Sequence, residues 1–136
     1  MMLRDRIAPA LRTLGFKGSG PVFSLPNEKH HAMLGFQKSV SSTASEIRFT
    51  VNALVVSKDA WKKAREEWSY IPQRPSPNAS WGDFVWQSRM GHLLPEREDA
   101  WWRLSASADV ERLAGELVDA IQEYMLPEIR QRIGGA

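Results

Sequence analysis

One long alternation of apolar and polar residues, Glu46–Ser57, constrains the fold of this chain more than any other feature. One row of this run is apolar and rich in β-branched residues: Ile47, Phe49, Val51, Ala53 and Val55. The intervening row begins with polar residues: Glu46, Arg48, Thr50 and Asn52. Because successive side chains of a strand point to opposite faces of a sheet, the run predicts a strand that packs on a core through one face.

Weaker patterns predict the elements on either side of this strand. Helical spacing of apolar residues predicts helices over 3–14, starting near Ala8 or bending at Pro9, and over 58–70, with Asp59 favouring its start and with Trp61, Ala64 and Trp68 on its inner face. A further helix starts at Ser107 or Asp109 and ends or kinks at Pro127. Shorter alternations predict strands over 22–25, 31–39, 84–90 and 100–104, and three prolines predict an irregular loop over 71–78, the one candidate linker.

The resulting order is α-βββ-α-ββ-α, in which short connections favour an antiparallel meander. We therefore expect a single α+β domain over residues 1–136. Its antiparallel sheet has four to five strands, and its helices pack mainly on one face.

Charge and cysteine content exclude several classes of protein. The 136 residues include 18 basic and 16 acidic side chains, a net charge of +2, and no basic stripe typical of a duplex-binding protein. The chain has no cysteine, which excludes disulfides, thiolate metal ligands and thiol nucleophiles. The first residues lack the apolar segment of a signal peptide, and no apolar run approaches the roughly 18 residues of a membrane span. We expect a cytoplasmic protein that does not interact with membranes.

The sequence carries no recognisable catalytic or cofactor motif. His30 and His31 are adjacent, and neighbouring residues of a strand point to opposite faces, so they do not bind one metal together. The glycines Gly15, Gly18 and Gly20 follow a predicted helix instead of preceding one, unlike a phosphate-binding loop. We therefore expect no catalytic residue, no metal and no cofactor.

The polar rows of the predicted strands give the one candidate binding surface. If the apolar rows share the core face, the polar rows lie together on the other face and combine arginine, amide and tryptophan groups. Such groups dominate many interfaces. The residues predicted to bind a partner are Arg48, Asn52, Arg89, Trp101 and Arg103. The alternative is an ordinary solvated sheet face whose arginines pair with nearby acids.

Short segments in a fixed order also resemble a known family. In the first half these are Leu14-Gly15-Phe16-Lys17, Phe23, Gln37-Lys38-Ser39 and Phe49-Thr50-Val51-Asn52. In the second half they are Arg89-Met90-Gly91-His92-Leu93, Asp99-Ala100-Trp101-Trp102 and Leu126-Pro127. Together they resemble the bacterial family called domain of unknown function 4304. The resemblance spans nearly the whole chain and implies no activity and no functional residue.

Three functions stay open at this stage. The first is a non-enzymatic module that binds another protein, with an immunity- or antitoxin-like role as its sharpest form by analogy. The second is a binder of nucleic acid or of a small anionic ligand through the arginine and tryptophan face. The third is an enzyme with an unfamiliar site.

Overall fold

The long alternating run forms the strand that organises the sheet. The structure, a computed structural model, describes residues 2–18, 21–38, 46–82, 84–93, 102–105 and 110–134. The strands are β1 (Val22–Ser24), β2 (His30–Lys38), β3 (Glu46–Ser57), β4 (Trp86–Arg89) and β5 (Trp102–Ser105). The helices are α1 (Met2–Thr13), α2 (Lys58–Glu67), α3 (Met90–Leu93), α4 (Val110–Ala120) and α5 (Leu126–Arg132), with a π-helical turn (Ile121–Met125) between the last two.

The sheet is antiparallel and five-stranded, as the sequence predicts. Its order is β1-β2-β3-β4, and β5 also pairs with β3. The two last strands share β3: β4 pairs with residues 52–55 and β5 pairs with residues 46–49. A simple meander would instead pair β4 with β5, so the meander prediction holds for the first four strands and is wrong for β5.

The apolar row of β3 packs on the main core. This core also contains residues of α1, β1, β2 and the C-terminal helices; its fully buried members include Ile7, Leu11, Phe23, Leu34, Val51, Leu117 and Ile121. Helices α1 and α4 pack against each other on this face. Burial of each large aliphatic side chain contributes roughly 1.5–3 kcal/mol, so this face supplies most of the hydrophobic stabilisation.

A second, smaller core covers part of the opposite face. It consists of Met33, Leu54, Val56, Trp61, Ala64, Ile71 and Val85. Helix α2, residues 68–82 and Val85 therefore lie on the face that the polar rows were predicted to leave open. The expectation of helices mainly on one face is met by α1, α4 and α5, while α2 is the exception.

The proline-rich segment 71–78 is irregular, as predicted, and it covers part of the sheet. Trp61 Nε1 donates to the carbonyl oxygens of Pro72 and Gln73, each at 3.1 Å. Trp81 Nε1 donates to Ser76 O at 2.9 Å, and the two indole rings meet edge to face with centroids 5.0 Å apart. Because tryptophan N–H groups satisfy carbonyls of an irregular loop, the loop packs on the sheet without regular structure.

Helix α2 begins at Lys58, as predicted, but ends three residues before the predicted end at residue 70. The N-cap is Ser57, whose Oγ accepts the Ala60 N–H at 3.1 Å, and Asp59 lies in the first turn, where an acidic side chain favours the start of the helix. The helix ends at Glu67, and Trp68 has extended backbone angles. For this reason Trp68 leaves the inner face of the helix and is 42% exposed.

The two terminal helical regions each accommodate a proline. Helix α1 runs through Pro9 instead of starting near Ala8. At the other end, the Leu126 N–H donates to Ile121 O, which closes the π-helical turn just before Pro127. This wider turn accommodates Pro127, the residue that was predicted to end or kink the last helix.

Candidate functional site

The strand register brings the predicted partner-binding residues together in two pairs. Asn52 lies opposite Arg89 across β3 and β4, and Arg48 lies opposite Arg103 across β3 and β5. Trp101, the remaining predicted residue, lies outside the described residues. The register therefore places these residues of the polar rows beside one another along β3.

Asn52 is the centre of a side-chain hydrogen-bond network. Its Nδ2 donates to Gln37 Oε1 at 2.7 Å and to Asn78 Oδ1 at 2.9 Å. Its Oδ1 accepts from Arg89 Nε at 3.4 Å. The Asn52 side chain thus uses both of its N–H donors and its carbonyl.

This network lies under a loop and not on an open surface. Asn52 is 8% exposed, and the neighbouring Thr50 is fully buried. Asn78 covers Asn52 from above, and its Nδ2 donates to Phe36 O on β2 at 3.3 Å. A buried polar group without a hydrogen-bond partner lowers the stability of the folded state by about 1–3 kcal/mol. Each amide of the network therefore relies on the others for its hydrogen-bond partners. In the described part of the chain, every buried side-chain nitrogen and oxygen atom has a partner.

A cleft of about 470 Å³ opens beside this network. We call it the amide–arginine cleft, after Gln37, Asn52, Asn78, Gln87 and Arg89 among its lining residues. Gln87 anchors its rim: the side chain accepts the Trp81 N–H at 3.2 Å and donates to Ala79 O. The described polar side chains of the cleft are amides, hydroxyls and one guanidinium. These groups donate and accept hydrogen bonds, so they suit the binding of a polar ligand.

Three amides of the cleft, Gln37, Gln87 and Asn78, are not among the residues predicted to bind a partner, and of these Asn78 lies outside the predicted strands. It lies in the irregular loop, where no periodic pattern indicates which side chain turns inwards. Its position above Gly35 gives a signal in retrospect, since a glycine inside a strand marks a close approach of another segment. Gly35 has Asn78 and Pro77 directly over its Cα.

The two adjacent histidines separate as predicted, one on each side of β2. His31 meets the ring of Trp61 edge to face, with centroids 6.4 Å apart, in the second core. Burial, together with the positive charges of Lys58 and Arg74, lowers the pKa of His31 below its usual value. His30 hydrogen-bonds with Asn27 at the other side of the strand. Within the described residues, no three histidine or acidic side chains gather as a metal site would require.

None of the helices in the described ranges is both long enough and apolar enough to cross a bilayer. Comparison with curated proteins and with solved structures gives no match. The family model of the domain of unknown function DUF4304 matches residues 7–131, which contain the five described strands and the described lining residues of the amide–arginine cleft. This chain belongs to the DUF4304 family.

Proposed function

We propose that this chain is a non-enzymatic binding module that accepts a carboxylate group of a partner protein in the amide–arginine cleft. The observation that supports the proposal is the position of Arg89, a cation that lines a concave cleft together with amides and hydroxyls. A guanidinium binds a carboxylate through two parallel N–H groups, and nearby amide N–H groups add further donors.

The contacts of Arg89 support a prearranged site. Its Nε donates to Asn52 Oδ1, and Asn52 is itself held by Gln37 and Asn78. A side chain that is oriented before binding loses less conformational entropy when the partner arrives. None of the described lining residues is acidic, so an incoming carboxylate meets no like charge from them.

A titration with two matched peptides tests this proposal. The first is a capped pentapeptide with one central glutamate between glycines, and the second has glutamine in its place. We expect the glutamate peptide to shift the NMR signals of the Asn52 and Asn78 side-chain amides, and the Arg89→Gln variant to lose this response. Arg112→Gln, on α4, is the matched control because Arg112 is exposed and pairs with Glu116 at 3.2 Å. Equal shifts with both peptides, or an unchanged response in Arg89→Gln, would contradict the proposal.

A small free anion is the alternative occupant, because the cleft is concave and Arg89 serves either ligand. Titration with acetate and with phosphate distinguishes a small free anion from a protein carboxylate as the occupant of the cleft. If either ion binds at least about tenfold tighter than the glutamate peptide, the site is one for a small anion. If the peptide binds tighter, the flanking backbone contributes and the protein partner is favoured.

The most specific form of the proposed function is the biological role of this binding module. We propose an immunity- or antitoxin-like protein of the bacterial cytoplasm that binds a toxin; the cysteine-free composition supports a reducing compartment. A neighbouring gene that encodes a toxin, with binding of its product weakened by Arg89→Ala, is the expected result. If the toxin binds the Arg89→Ala variant as tightly as it binds the wild type, the amide–arginine cleft is not the site that binds the toxin.

A further inference from the structure

A second cleft, of about 720 Å³, lies at the edge of the sheet beyond the start of β4. The register explains its origin. Strand β4 begins with Trp86 opposite Val55, whereas β3 continues to Ser57. The chain before β4 turns away, with Gly82 at a φ of 117° and the Val85 N–H donating to Gly82 O at 3.2 Å. At this edge, the last residues of β3 therefore have no described strand beside them, and a cleft lies there instead. We call it the aromatic cleft, after His30, Ser57, Phe84, Trp86 and Arg132 among its lining residues.

One wall of the aromatic cleft holds a cation in a fixed orientation. The Cζ of Arg132 lies 4.3 Å from the centroid of the Trp86 ring. Such stacking uses the face of a guanidinium and leaves its N–H groups at the rim, where they form hydrogen bonds in the plane of the group. Arg132 Nη2 also lies 3.4 Å from Glu128 Oε2, and both side chains are more than one third exposed. An exposed pair of this kind is weak, so a second carboxylate can compete with Glu128 for the guanidinium.

The other wall presents aromatic surface to solvent. Phe84 is 39% exposed, although it stacks on Trp61 with ring centroids 6.1 Å apart. The predicted strand over 84–90 includes Phe84, but the turn at Gly82 places Phe84 before β4, which begins at Trp86. Large apolar side chains that are held rigidly and left exposed commonly mark binding sites.

We propose that the aromatic cleft binds a small aromatic carboxylate, whose ring packs on Phe84 and whose carboxylate pairs with Arg132. The volume lies within the range of roughly 300–1,000 Å³ that is typical of small-molecule sites. Ser57 and Ser80 add hydroxyl groups, and none of the described lining residues is acidic. An aromatic carboxylate satisfies the exposed ring and the guanidinium together; a bare anion or a neutral ring satisfies only one of them.

This inference does not depend on the proposed function of the amide–arginine cleft. The two clefts share only Ser80 and Gln87 among their described lining residues. Arg89 lines the first cleft and Arg132 lines the second. A substitution of one arginine therefore tests one cleft at a time.

The test is an NMR titration of the whole chain with three probes: 2-naphthoate, the neutral 2-naphthamide and acetate. We expect 2-naphthoate to shift the indole N–H of Trp86 and the amide of Phe84, and to bind at least about tenfold tighter than either other probe, since each of those lacks one of the two contacts.

Two substitutions then assign the contacts. Arg132→Gln is expected to weaken 2-naphthoate about tenfold, because it removes a charge-assisted hydrogen bond. Phe84→Ala is expected to weaken it about fivefold, because it removes the aromatic wall. Arg130→Gln, an exposed arginine on the same helix, and Arg89→Gln, in the other cleft, are expected to stay within about twofold of the wild type.

Any of three outcomes would overturn the proposal. These are equal affinity for 2-naphthoate and 2-naphthamide, no shift of the Trp86 indole N–H signal at millimolar 2-naphthoate, or an unchanged affinity for 2-naphthoate in Arg132→Gln. The amide spectrum of each variant reports its fold, and Arg132→Lys provides a second variant that retains the charge but removes the planar group.

Discussion

Asn78 lies so close above Gly35 that a Cβ atom on Gly35 would be 2.6 Å from Asn78 Oδ1. The same Cβ atom would be 2.8 Å from Pro77 Cγ. The loop that carries Asn78 therefore rests directly on the backbone of β2. The absence of a side chain at this single strand position allows Asn78 to reach Asn52 and complete the hydrogen-bond network of the amide–arginine cleft.

Gly35→Ala is expected to destabilise the protein by about 1–3 kcal/mol, because the added methyl group overpacks this contact and displaces the loop. Chemical denaturation measures the loss. The NMR signals of the Asn52 and Asn78 side-chain amides should move in the same variant. Wild-type stability together with unmoved amide signals would show that the loop is not held at this point.

Gly115→Ala is the matched control with the opposite sign. Gly115 lies in α4, and a Cβ atom there meets nothing within 4 Å. Glycine within a helix costs roughly 0.5–1 kcal/mol relative to alanine, so the free energy of unfolding should rise by about that amount. A decrease in the same denaturation experiment would mean that α4 packs more tightly at this position than the structure shows.

Asn52→Ala should cost about 1–3 kcal/mol, since it leaves Gln37, Asn78 and Arg89 without their shared partner in a largely buried place. Denaturation at pH 7 is again the measurement. Gln122→Ala, which removes an exposed amide from the C-terminal helical region, should change stability by no more than about 0.5 kcal/mol. Similar small effects from both substitutions would mean that solvent satisfies the network as well as Asn52 does.

Leu117→Ala is expected to destabilise the fold by about 2–5 kcal/mol, because Leu117 is fully buried in the main core and its truncation leaves a cavity. The midpoint of thermal unfolding should fall accordingly. A loss below about 1 kcal/mol would place α4 outside the core and contradict the packing described above.

The lowered pKa of His31 predicts a particular dependence of stability on pH. Since the folded protein holds this proton less tightly than the unfolded chain does, stability rises with pH through this range. The contribution is complete above about pH 6.5, the ordinary value for histidine, and is lost as the pH falls towards the lower pKa of the folded state. His31→Gln should flatten this part of a stability curve measured from pH 5 to pH 8. His30→Gln is the control on the other side of β2, and equal curves for the two variants would argue against the assignment to His31.

Local patterns predicted the elements of the fold more reliably than the way in which they cover one another. The alternation in β3 correctly identified the strand and its core face, since the period of a strand is a local property. Trp68 was assigned to the inner face by helical spacing, yet the helix ends one residue before it. Spacing predicts a face only where the helix continues.

The candidate site shows the same division. The polar rows predicted that Asn52 and Arg89 share one face, and their register confirms it. The rows did not reveal that Asn52 lies under the loop, because its cover comes from Asn78, a distant residue in a segment without periodicity. Contacts between an irregular loop and a strand depend on tertiary packing, which no local pattern encodes.

The π-helical turn before Pro127 allows the last segment to hold one residue more than a regular helix. The Leu126 N–H donates to Ile121 O five residues back, so the wider turn absorbs the extra residue and the helix beyond it keeps the register of a regular helix. Removal of one exposed residue there, Gln122 or Glu123, is therefore expected to restore ordinary helical geometry while Ile129 stays in the main core and Arg132 stays over Trp86. Removal of one residue from the regular helix α4 would instead rotate the helix beyond it by about 100°. At the π-helical turn alone, a change in chain length leaves both the core and the aromatic cleft in place.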